Sequence, residues 1–135
     1  MKRNIVSLLI LVFCSLNLSG QVSHCDCLYD NPEIPPDYKG GEDELMKYLN
    51  KEIFPLVGLC NKEENIMITS LYLELSIDQR GNLFDMNLIR PEVPASCKEY
   101  LKEKFLSMKG WTPGKINGKE VCSKLKLPIS CILWK

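Results

Sequence analysis

The chain of 135 residues is poor in the features that mark many enzymes and nucleic-acid-binding proteins. It has one histidine, His24, and no net charge, with 17 basic and 17 acidic residues. A single histidine with no organised Ser or Cys beside it argues against a His-dependent nucleophile. No basic stripe is interleaved with aromatic residues, which argues against nucleic acid as a partner. We therefore expect no enzyme, no cofactor and no nucleic-acid partner.

The longest apolar run is also too short to cross a membrane. It extends from Ile5 to Leu18, 14 residues, whereas a spanning helix needs about 20. Two basic residues precede the run and Ser19-Gly20 follows it, which is typical of a secretory signal peptide. We predict a signal peptide over 1–20 and an exported protein, periplasmic, secreted or surface-associated, with no transmembrane anchor after cleavage. An uncleaved anchor is the alternative.

Cysteine, by contrast, is abundant. Seven cysteines occur, and six of them follow the predicted signal peptide. An even number of cysteines in an exported chain indicates disulfide bonds formed outside the cytoplasm. Six cysteines allow many pairings, and the residues alone do not choose among them. The disulfide candidates are Cys25, Cys27, Cys60, Cys97, Cys122 and Cys131.

The motif His24-Cys25-Asp26-Cys27 has a second interpretation as a metal site. It offers up to four ligands of types that Zn²⁺ accepts, but no second cluster completes a tetrahedral site. We therefore predict no metal, and a metal-binding module built on this motif stays as an alternative.

The region after the signal peptide divides into an arm and a domain. Residues 21–39 contain several prolines and little periodic hydrophobicity, which predicts an extended N-terminal arm. Residues 40–135 form the predicted domain. Its first helix runs from about Glu42 to Ile53, with carboxylates in the first turn and one apolar face, and Pro55 is expected to stop it.

A β-hairpin follows a charged loop over residues 60–65. Leu71, Leu73, Leu75 and Ile77 alternate with polar residues, which predicts a strand with one buried face. The stretch from Asp78 to Asn82 is typical of a turn, and the alternation resumes at Phe84.

A second helix and a long final strand complete the predicted elements. Cys97, Leu101, Phe105 and Met108 define one apolar stripe of the helix. The final strand alternates from Val121 to Leu133, and because Pro128 cannot donate a ladder hydrogen bond, we place this strand at a sheet edge. Cys97 and Cys131 lie on apolar faces, so a buried free thiol is the alternative to a disulfide for each.

Four motifs, taken in their order along the chain, resemble the C-terminal domain of TonB, in the free-standing form of secreted proteins from Bacteroidetes-type bacteria. Together they cover nearly all of the chain after the signal peptide. The strongest is the segment that follows the second helix, with its turn dipeptides Pro113-Gly114 and Asn117-Gly118. The four motifs span Tyr38–Leu45, Leu73–Asn82, Lys109–Lys119 and Leu127–Ile129.

The resemblance implies an α+β fold in which two helices pack on a three-stranded antiparallel sheet, in the order helix, strand, strand, helix, strand. It also implies that the last strand is an open edge that captures an extended protein segment, such as part of an outer-membrane transporter, by strand addition. The oligomeric state is left open. The implied peptide-binding residues are Lys124, Leu125, Lys126, Leu127, Ile129 and Cys131. Lys124 and Lys126 would either steer an acidic peptide or block unwanted sheet pairing.

The strand order suggested by this resemblance leads to a disulfide hypothesis. It gathers Cys60, Cys97 and Cys131 at one end of the sheet and leaves Cys122 at the other. One pair would come from the first three, and Cys122 would bond Cys25 or Cys27 in the arm. The alternative function is a disulfide-stabilised structural or accessory domain whose edge is covered by its own arm.

Overall fold

A computed structural model describes residues 25–131. The predicted signal peptide and His24 lie outside the described residues. In chain order, the elements are β1 (Asp37–Tyr38), α1 (Gly41–Tyr48), a π-helical turn (Leu49–Ile53), α2 (Phe54–Glu64), β2 (Ser70–Ile77), β3 (Leu83–Arg90), α3 (Ala95–Leu106), β4 (Trp111–Thr112), β5 (Gly114–Ile116), β6 (Lys119–Val121) and β7 (Ser123–Ser130).

The first helical segment is longer than predicted. The chain stays helical through the π-helical turn and α2, and it leaves the helix at Asn65 in the left-handed conformation, with φ of 51°. The predicted stop at Pro55 is therefore wrong, and so is the predicted loop over residues 60–65. Pro55 follows the π-helical turn and occupies the first turn of α2, where a missing backbone N–H costs little.

Three long strands form the main sheet. β2 lies at its centre and pairs antiparallel with β3 on one side and with β7 on the other. The predicted hairpin is present, with its turn between Ile77 and Leu83. On the opposite side of β2, Leu71 pairs with Ile129 and Leu75 pairs with Leu125.

The predicted α+β class with helices and antiparallel sheets is confirmed, but the strand count and the element order were incomplete. Four short strands had no prediction: β1 pairs with β4, and β5 pairs with β6. With two or three residues each, they are too short to show an alternating pattern. The β1–β4 pair draws the end of the predicted arm into the folded domain.

The hydrophobic core lies between one face of the sheet and the helices. The four alternating apolar residues of β2 are at most 1% exposed. The predicted stripe of α3 meets them, because Cys97, Leu101 and Phe105 are buried in the same cluster. Leu49 and Ile53 of the π-helical turn complete the cluster from the other helical segment.

Two disulfides join distant parts of the chain. Cys25 is bonded to Cys122, with Cα atoms 6.0 Å apart, and Cys60 is bonded to Cys97, with Cα atoms 5.9 Å apart. Both pairs fall within the sets that the disulfide hypothesis named. The other two candidates are free thiols: Cys27 is exposed and Cys131 is half-buried.

Candidate functional site

The outer edge of β7 is the feature that the sequence singled out. Along an antiparallel strand, successive residues turn their backbone groups to alternate sides. The N–H of Cys131 donates to the carbonyl of Thr69, 2.8 Å away, on the β2 side. The N–H of Lys124 donates to the carbonyl of Tyr29, 2.9 Å away, on the opposite side. The backbone groups of Lys124, Lys126, Pro128 and Ser130 therefore face outward.

Pro128 occupies one of these outward positions. A proline there removes a donor that has no partner in β2, so the ladder between β2 and β7 is not interrupted. The residues on either side, Leu127 and Ile129, remain paired with Leu73 and Leu71. The prediction that Pro128 places this strand at a sheet edge agrees with the observed topology.

The arm covers only the beginning of this edge. Tyr29 forms a parallel bridge with Ser123, and its N–H donates to the carbonyl of Cys122 at 3.0 Å. The Cys25–Cys122 disulfide fixes the same point, and Asp30 lies 3.7 Å from the ammonium of Lys124. The arm then turns to β5, where Ile34 pairs with Lys115.

Beyond the arm, the part of the chain that the structure describes leaves the edge open. Within residues 25–131, no backbone partner contacts the outward N–H groups of Lys126 and Ser130, or the outward carbonyls of Lys124, Lys126 and Pro128. This stretch has the free donors and acceptors that a further strand would need.

An apolar groove of about 550 Å³ runs between the first helical segment and the open edge. A cavity of about 150 Å³ suffices for a benzene molecule, so this groove has room for several side chains. Its strand side is formed by β7, and Met46 of its helix side is 41% exposed. The main apolar lining residues are Leu45, Met46, Leu49, Phe54, Leu125 and Leu127.

A second groove continues the first toward the end of β7. It has about 340 Å³ and shares Asn50 and Phe54 with the first groove. Cys131 lies on its wall, together with Val57 and Ile68. Burial raises the pKa of the Cys131 thiol, so this cysteine behaves as a small apolar residue here.

The predicted edge residues fall on two faces of β7. Leu125 and Leu127 are half-buried, Ile129 is buried, and all three line the groove. Lys124 lies on the opposite face, 3.4 Å from the carboxylate of Glu74 as well as near the arm. Lys126 is exposed. Lys124 is therefore held in ion pairs, which weakens its predicted role in steering a peptide.

The helix side of the groove was not predicted. Leu45 and Leu49 lie on the apolar face predicted for the first helix, and Met46 and Asn50 carried no prediction. An exposed methionine beside an apolar stripe was the available signal, since methionine adapts to varied contacts.

Trp111 lines one end of the groove. It is 5% exposed, and its ring meets that of Tyr38 edge to face with centroids 5.2 Å apart. Its indole N–H is buried and has no hydrogen-bond partner within residues 25–131. This packing anchors β4 to β1.

The structure bears on the metal alternative. Cys25 is bonded to Cys122, so its sulfur is not a free thiolate ligand. Among residues 25–131, no three His, Cys, Asp or Glu side chains are grouped so that they could hold a metal ion. In the same part of the chain, no helix is long and apolar enough to cross a membrane.

Comparison of the chain with protein-family models, with curated proteins and with solved structures found no match. The resemblance to the TonB C-terminal domain therefore rests on the sequence motifs.

Proposed function

We propose that this protein is an exported binding module that captures an extended polypeptide segment by strand addition to the outer edge of β7. One observation carries the proposal: the outward backbone groups from Lys124 to Ser130 are unpaired in the described part of the chain beyond the arm contact, and an apolar groove lies beside them. Main-chain hydrogen bonds would supply affinity, and the groove would accept alternate side chains.

The two disulfides and the export signal fit a periplasmic, secreted or surface-associated location. The resemblance to TonB implies the class of partner. A segment of an outer-membrane transporter is the first candidate, and the module would then take part in transport across that membrane. The helical layer and the order of the long strands support the TonB-like interpretation of the fold.

A proline at Lys126 tests the proposal. Lys126→Pro removes one outward donor and leaves the inward ladder to β2 intact, as Pro128 already does. The measurement is titration of peptides of about eight residues, the length of β7, with apolar residues at alternate positions. We expect Lys126→Pro to lower the affinity for the tightest-binding peptide by about tenfold, which corresponds to the loss of roughly one hydrogen bond.

Lys126→Ala is the matched control, because it removes the same side chain and keeps the N–H. It should bind within about twofold of the parent chain, and both variants should keep the parent melting temperature within a few degrees. Equal binding by the proline and alanine variants would contradict strand addition.

A second candidate function is a structural or accessory domain. The arm favours it, since Tyr29 and the Cys25–Cys122 disulfide already cover the start of the edge. In that case, no peptide binds at β7 and Lys126→Pro changes nothing beyond local stability.

A further inference from the structure

We propose that the captured segment carries a basic residue at the end that lies beside Leu125, next to the arm, with apolar side chains at alternate positions behind it. This inference rests on the proposed function and adds the chemistry of the partner. It follows from the charges that line the groove.

The charged residues of the groove are all acidic. Asp37 and Glu42 line it, and no Lys or Arg lines either this groove or its continuation within the described residues. Neither carboxylate forms an ion pair with a residue of 25–131. The carboxylate of Asp37 accepts the N–H of Tyr38, 2.9 Å away, and remains exposed.

The acidic pair lies at one end of the groove. Glu42 is in the first turn of α1, whereas Phe54 borders the second groove, which ends at Cys131. Phe54 follows Glu42 by twelve positions along the helical segment, a distance of about 18 Å at 1.5 Å per residue. Glu42 is therefore far from Cys131. Asp37 pairs with Thr112, next to Trp111, whose carbonyl lies against Gly81 in the turn that follows β2. Since Ile77 at the end of β2 pairs with Ser123, both carboxylates lie toward the end where β7 begins.

The helix dipole accounts for part of this acidity but not for all of it. Carboxylates in a first turn complement the N-terminal dipole, which explains Glu42, Asp43 and Glu44 equally well. Asp37 is outside the helix, in β1, and Asp43 does not line the groove. The side chains that face the groove thus combine an apolar floor with an acidic end.

An added strand would present its side chains in matching positions. Side chains of a strand point alternately to the two faces, so every second residue would enter the groove beside Leu125, Leu127 and Ile129. Because the arm already pairs with Ser123, the first groove-facing residue of the added strand would lie beside Leu125. A Lys or Arg at this position would extend its long side chain toward Asp37 and Glu42.

The test compares peptides that differ at one end. Each peptide has capped termini and the same alternating apolar core, and carries Lys, Gln or Glu at its first or at its last position. We expect one of the two Lys peptides to bind about two- to tenfold more tightly than its Gln counterpart, with the Glu peptide weakest, since exposed ion pairs are worth little each. The preference should shrink in about 0.5 M salt.

The double variant Asp37→Asn, Glu42→Gln should bind the Lys and Gln peptides equally. Asp43→Asn is the matched control, because it removes a carboxylate from the same turn of α1 but not from the groove, and it should keep the preference. Equal binding of the Lys, Gln and Glu peptides by the parent chain overturns the inference. A preference for Lys that survives the double variant also overturns it.

Failure of the proposed function has a different signature. If no peptide binds, or if Lys126→Pro binds every peptide as well as the parent does, strand addition is wrong and the inference falls with it. A concentration-dependent dimer that Lys126→Pro dissociates would assign the groove to a second copy of this chain, which also overturns the inference.

Discussion

Gly81 shows how one residue joins two distant parts of the chain. It ends the turn of the β2–β3 hairpin with φ of +83°, and a Cβ at this position would collide with the backbone carbonyl of Trp111. The turn itself is held by Asp78, whose carboxylate accepts the N–H groups of Arg80 and Asn82, each at 2.9 Å. The sequence predicted this turn but not its contact with Trp111, because no local pattern reports a contact between residues thirty positions apart.

Substitution of Gly81 tests this contact. Gly81→Ala adds a side chain at a positive φ and against the Trp111 carbonyl, so we expect a loss of about 2–5 kcal/mol in the free energy of unfolding. Gly118→Ala is the control, because Gly118 also has a positive φ, +74°, but an added Cβ there meets nothing within 4 Å. It should cost only about 1–2 kcal/mol. If denaturant unfolding showed equal losses of unfolding free energy for the two variants, the proposed effect of the Trp111 contact would be wrong.

At the scale of elements, the first helical segment and the arm differ from their predictions for physical reasons. Pro55 normally ends a helix, but the π-helical turn before it shifts the hydrogen-bond register and lets the chain remain helical to Glu64. The arm was expected to be extended, and its last residues pair with β4 as strand β1. Such pairing depends on where Trp111 is placed by the rest of the fold, so residues 37 and 38 carry no signal of it.

Removal of the Cys25–Cys122 disulfide tests how the arm is held at the edge of β7. Cys25→Ser removes the disulfide to Cys122, and we expect a loss of about 2–5 kcal/mol in stability. Hydrogen exchange at the Lys124 amide should accelerate, because its acceptor is the Tyr29 carbonyl in the arm. The Cys131 amide donates to the carbonyl of Thr69 instead. Its exchange should accelerate only by the amount that the loss of global stability accounts for. Unchanged exchange at Lys124 relative to Cys131 would show that the arm holds without the disulfide.

At the scale of the whole molecule, the sequence predicted the β2–β3 hairpin, the buried stripe of α3 and an edge strand marked by Pro128. These features follow from local periodicity and from proline chemistry. The groove could not be predicted, because it forms between Leu45 or Leu49 and Leu125 or Leu127, residues far apart in the chain. Periodicity reports that such residues are apolar and cannot tell a packed interior from an open groove.

The most direct test of strand addition is amide hydrogen exchange along β7 with and without the tightest-binding alternating peptide. The account predicts that exchange at Lys126 and Ser130, whose N–H groups face outward, slows by about tenfold or more on binding. Exchange at Leu125 and Leu127 should change little, since their N–H groups already face β2. Binding that leaves Lys126 and Ser130 unprotected would contradict the central claim.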